Sequence, residues 1–282
     1  MNNRNEETSS NAETNISTQS DENTSKDARR RYKIKSSEEL EESTEGRPRN
    51  VKLSRANREF YDERKWPNNV VPIIIQEIPE YDTDAVRARL EEVNDILKAK
   101  TCVRLKEIRE SERRKYKDYL VLDTSADYVT GRVGGRQVFG SLELYLGGQH
   151  IQHAAMMVMA MLGFYFELAR HDRDKYVRVH LRHVRPDKLH HFEKIRSDGT
   201  LPFPYDYKSA THPAWQFWRK VGRTGISSDP DGSLMKSLGQ NNQLLSKMDI
   251  LKINSVYGTK CLQLGNQPKI RKGRREKISN SE

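Results

Sequence analysis

The sequence has no apolar run long enough to cross a membrane. A spanning helix needs about 20 apolar residues, and the most apolar stretch, Ala154 to Phe166, falls short of that. It reads instead as a helix inside a protein core. The first sixty residues also lack the apolar h-region of a signal peptide. As written the chain is cytosolic, and it is secreted if its true start lies upstream. Cysteine is scarce: Cys102 and Cys261 are the two present, and a pair can be a disulfide or two buried thiols. The glycine-rich Gly131-Arg132-Val133-Gly134-Gly135-Arg136-Gln137 has neither a GK[ST] ending nor GxGxxG spacing. That excludes a phosphate cradle and leaves a tight turn between strands. No Ser-His-Asp or Cys-His order comes with a supporting motif. Hydrophobic residues make up only 34% of the chain, against 32% charged, so part of it is expected to be unfolded.

What the chain has in excess is positive charge, with a formal net charge of +10 over 282 residues. Residues 26–35 carry six basic groups against one acid, and residues 266–282 six against two. Such ends suit anionic partners, which is one reading of the chain: a basic intracellular binding protein. Neither run is interleaved with the aromatic platforms that single-strand binders use, which argues against nucleic acid. Residues 1–64 read as a disordered polar and charged segment, residues 65–262 as the folded domain and residues 263–282 as a basic tail. Val70 to Ile75 and Tyr119 to Asp123 read as strands, and Val138 to Leu146 is expected to be the edge strand on the family resemblance given below. Thr83 or Asp84 can cap a helix with Val86, Leu90, Val93 and Leu97 at helical spacing, and Ser246 can cap a second one. Gly163 supplies the left-handed end of the apolar helix.

The motif around Gly163, with five ordered motifs about it, carries a family resemblance. Around Gly163, Leu162 to Tyr165, Glu167, Arg170, Asp172, Arg173 and Asp174 fit HExxHxxGFxHExxRxDRD, the zinc signature of the astacin metallopeptidases. Trp66-Pro67-Asn68-Asn69 is similar to that family's WPNG opening, and Lys100 to Leu105 to its KTCIRF strand. Gly131 to Gln137 resembles GRxGGxQ, and Pro204 to Pro213 resembles the turn beneath the metal, PYDYxSIMHY. Leu238 to Asn254 resembles the closing GQxxxLSxxDIxKIN helix. The resemblance covers residues 66–261. It implies an α+β, zincin-like fold: a twisted, mostly parallel sheet, two main helices and an irregular C-terminal lobe.

The same resemblance withholds the chemistry. Met156, Ala160 and Phe166 stand at the three zinc-ligand positions, Met157 at the general base, Thr211 at the underlying methionine and Pro213 at the tyrosine. Thioether, methyl and phenyl groups are poor partners for divalent zinc. The implied function is a non-catalytic pseudo-peptidase with no cofactor, possessing a cleft edged by Val138 to Leu146 that can take an extended peptide or protein. The alternative is an active zinc endopeptidase whose ligands lie elsewhere. Glu167, Arg170, Asp172, Arg173 and Asp174 are expected to knit the turn after the helix. His150/His153, His180/His183 and His190/His191 are close pairs, each without a third ligand at metal spacing. Cys102 and Cys261 match the family's bridge between the early strand and the chain end, and the other family bridge would fall near Ala126 and Gly148, where cysteine is absent. Oligomeric state is not legible.

Overall fold

A computed structural model describes residues 50–125, 127, 129–141, 145, 151–228, 236, 238–239 and 243–265. The chain divides into two units, residues 1–43 and 44–282, and every described residue lies in the second. The disorder expected for residues 1–49, and all but the first three residues of the expected tail, lie outside the described residues.

The expected unstructured lead-in needs correction, because Arg55–Asp62 is a helix, α1. Ser54 caps it, accepting from the Asn57 amide, as a Ser N-cap should. Its inner face is tied to the body. The Asn57 side-chain amide donates to the carbonyls of Asp198 and Thr200, and the Tyr61 hydroxyl donates to Gly199 at 2.8 Å. Folded structure therefore begins before Lys65.

Four parallel strands form one sheet in the order β2-β1-β3-β4: β1 Val70–Ile75, β2 Arg104–Glu107, β3 Tyr119–Asp123 and β4 Arg136–Gly140. Side chains alternate across a strand, and burial follows. Ile73, Ile75, Leu120, Leu122 and Phe139 join the main core, while Ile74, Tyr119 and Val121 pack with Ile108 on the other face. The edge strand expected through Leu146 stops at Gly140; of the rest, Ser141 and Tyr145 are described and neither is in a strand.

The helix α2, Thr83–Lys100, presents Val86, Leu90, Val93 and Leu97 to the main core. Its N-cap is Asp82, whose carboxylate accepts from the Ala85 amide at 2.9 Å, rather than Thr83 or Asp84. The apolar helix α3, Ile151–Met161, packs beside it. Gly163 ends α3 at φ +97°. The Gly163 amide donates to Ala160 at 2.9 Å and the Phe164 amide to Met159 at 3.0 Å, the two bonds of a Schellman motif. Gly131, at φ +77°, donates to the same Ala160 carbonyl at 2.7 Å. The glycine-rich loop is thus a clasp on the end of α3.

Beyond Gly163 the chain is mostly single 3-10 turns. Among the described residues there follow the short antiparallel pair β5, Val177–Val179, and β6, Ile226–Ser228, and the helices α4, Lys247–Tyr257, and α5, Lys260–Gly265. Ser246 and Asp249 form a capping box at the start of α4. A disulfide joins Cys102 to Cys261, with Cα atoms 5.7 Å apart, and α5 carries regular structure to Gly265, past the expected domain end.

Candidate functional site

Three of the positions that the zinc motif singles out lie on one helix. On α3, Met156, Met157 and Ala160 are all buried in the main core, Met157 completely. Phe166, in the turn that follows, is buried too. Its ring packs 5.9 Å from Trp218 and 6.3 Å from the imidazole of His191, centroid to centroid. As donors for divalent zinc these four do not fit: two thioethers, a methyl and a phenyl ring stand where imidazole nitrogens and a carboxylate are needed. What they do is exclude water and fill volume.

The turn after α3 is an ionic knot. Glu167 is buried and its carboxylate pairs with Lys252 of α4 and, at 3.4 Å, with Arg170. Arg170 grips Asp172 with two parallel bonds of 2.9 and 3.0 Å, and also donates to the carbonyls of Phe203 and Pro204. Bidentate pairing of this kind fixes geometry as well as charge. Arg173 donates to Asp174 and to the carbonyls of Leu168 and Phe192. Burial by itself would lower the pKa of Lys252, but Glu167 and Asp249 outweigh it and hold the ammonium above its ordinary value.

The segment Pro204 to Pro213 passes beneath this knot. The Glu167 amide donates to the Thr211 carbonyl at 3.2 Å, and Ser209 and Ala210 both donate to Asp249 at the start of α4. Thr211 is buried, and its hydroxyl lies 2.8 Å from that of Ser209. His212 is buried as well. Its Nδ1 faces the Pro213 carbonyl at 2.9 Å and must donate, so Nε2 accepts from the Tyr205 hydroxyl at 3.0 Å. Burial depresses the His212 pKa and raises that of Tyr205, so the pair is neutral. Phe166, Glu167, Arg170, Thr211, Lys252 and Tyr61 of α1 line one small cavity of about 30 Å³, room for roughly one water.

The structure thus gathers Phe166, Glu167, Arg170 and Thr211 around one point, with the α3 residues in the adjoining core. Pro213 contributes its carbonyl to His212. Asp172 joins them through Arg170, while Arg173 bonds to the carbonyls of Leu168 and Phe192 and Asp174 pairs with Arg173 and Lys194. Sequence reasoning passed over one cluster. Asp127 lies with His190 and His191, their ligand-type atoms all within 4.8 Å of one another. The histidine pair was visible in the sequence; its third partner, 63 positions away, was not.

Residues 58–258 match the sequence model of one family, described as Astacin (Peptidase family M12A). An "Astacin-like metalloendopeptidase" of Coturnix japonica is 30% identical over 210 residues, which cover 68% of this chain and 46% of that protein. "High choriolytic enzyme 1" of Oryzias latipes is 32% identical over 199 residues, covering 67% of this chain and 66% of its own. The solved structure of the same fish enzyme, described as a hatching enzyme zinc-protease, superimposes with a TM-score of 0.54 at 27% identity, over 70% of this chain and 94% of that one. The chain thus spans less than half the length of the quail relative.

Proposed function

The chain belongs to the astacin family, peptidase family M12A, and we propose that it is a non-catalytic member, a pseudo-peptidase whose cleft holds an extended peptide without cutting it. The observation that carries this reading is the buried, donor-free set of Met156, Met157, Ala160 and Phe166. A working site needs three protein ligands, an open fourth position and a base for the bound water. An abandoned polar pocket would leave imidazoles and a carboxylate unsatisfied at about 1–3 kcal/mol each. Filling it with methionine and phenylalanine removes that cost and adds about 1.5–3 kcal/mol for each large side chain buried.

Peptide binding rests on β4, the end strand of the sheet. A sheet end offers backbone groups to an added strand. In this reading the domain takes in α1 as well as residues 65–262. The second reading, an active zinc endopeptidase, is favoured by the names of the Coturnix japonica and Oryzias latipes relatives.

Cleavage separates the two. The purified full chain, supplied with zinc, is incubated with an unfolded protein substrate with and without a chelator. No chelator-sensitive cleavage is expected; cleavage that the chelator abolishes overturns the non-catalytic reading. Metal content alone does not decide, because Asp127, His190 and His191 bring metal-type donors together away from α3.

A further inference from the structure

We propose that Asp127, His190 and His191 form a binding site for one divalent transition-metal ion of the zinc class, separate from the α3 positions. One oxygen organises the cluster. Asp127 Oδ2 lies 3.0 Å from His191 Nε2 and 3.3 Å from His190 Nε2. A tetrahedral ion with bonds of about 2.0–2.1 Å spaces its donors about 3.3–3.4 Å apart. Both oxygen–nitrogen spacings are already close to that, and all three ligand atoms lie within 4.8 Å of one another. Two imidazoles and a carboxylate are borderline donors of the kind that zinc, cobalt and nickel accept.

The cluster is held from outside. The His191 ring stacks on Trp218 with centroids 4.6 Å apart, and Phe166 meets it edge-on at 6.3 Å. The Asp127 carbonyl accepts from the Gly140 amide at the end of β4, at 3.2 Å. The 3-10 turn Pro186–Phe192 places both histidines. His190 is half exposed, with 54% of its side chain in solvent, and supplies the route of entry. Lys188 is the competitor. Its ammonium lies 3.0 Å from the same Asp127 Oδ2. Three nitrogens therefore converge on one oxygen, more than its two lone pairs accommodate. A dication relieves this: it takes the lone pairs of both imidazoles and the oxygen, and the ammonium swings to water.

The test uses the full chain, stripped of metal, titrated with cobalt(II) and followed by its visible absorption, then with zinc by competition. One saturable cobalt ion per chain is expected, with the intense absorption of a low-coordinate site. His190→Ala and Asp127→Asn are expected to weaken it at least tenfold, and Lys188→Met to strengthen it several-fold. That gain cannot arise from misfolding. His183→Ala, in another histidine pair, serves as control and leaves the affinity unchanged. No saturable cobalt, or an affinity indifferent to His190, Asp127 and Lys188, overturns the proposal. The inference does not rest on the non-catalytic reading: cleavage refutes only that reading, and failure to bind cobalt refutes only this one.

Discussion

At the scale of single residues, the side chains at the zinc-motif positions fill volume in the core. Met157 is fully buried in the main core, so Met157→Ala is expected to lower unfolding stability by about 2–5 kcal/mol, as large-to-small changes do in close-packed interiors; urea denaturation reads it directly. A residue merely lining an open cleft would cost far less. His212 gives a pH signature. Its neutral ring is locked between the Pro213 carbonyl and Tyr205, and burial holds its folded pKa below the ordinary value of 6.5. Protons therefore bind the unfolded chain first. The stability this residue contributes is intact above about pH 6.5 and is lost as the pH falls from there towards the depressed folded pKa, at about 1.4 kcal/mol per pH unit. Replacing it as His212→Gln should flatten the fall of the urea midpoint between pH 7 and 5; an unchanged slope sinks the assignment.

At the scale of elements, two junctions carry specific costs. Gly239 sits at φ +69°, where an added Cβ would lie 2.0 Å from the His212 carbonyl oxygen. Backbone cannot yield as a flexible side chain would, so Gly239→Ala is expected to destabilise by at least about 2 kcal/mol through strain and overlap together. Thermal melting checks it. Ser246 holds the start of α4 through the capping box and a 2.6 Å bond to Asp206. Ser246→Ala should cost about 1–2 kcal/mol, while leaving the Cys102–Cys261 bridge formed. Both residues stand in a motif the sequence displays, yet their reasons differ. The Ser246 cap is local and could be anticipated from the chain alone. The need for glycine at 239 comes from a neighbour in space, the His212 carbonyl, that no local pattern encodes.

At the scale of the whole molecule, the disulfide ties the link between α2 and β2 to α5 across a sequence separation of 159 residues. Opening a loop of that size returns about 5 kcal/mol of chain entropy to the unfolded state, on the loop-closure account. Reduction, or Cys102→Ala with Cys261→Ala, should therefore lower the thermal midpoint markedly; no shift would mean the bridge closes little freedom. Among the described residues no helix is long and apolar enough to cross a membrane, in line with the short run at α3. The sequence by itself determined the family, β1 and β3, α3 with its Gly163 end, the Ser246 cap and the residue types, without imidazole or carboxylate, at Met156, Met157, Ala160 and Phe166. Each is a local pattern or a residue type, readable wherever it stands. Only the tertiary structure decided that α1 docks on the body, that Glu167 answers to Lys252 on a distant helix and that Asp127 meets His190 and His191. Those are meetings between residues far apart in the chain, and one-dimensional spacing does not record them because packing, not period, brings them together.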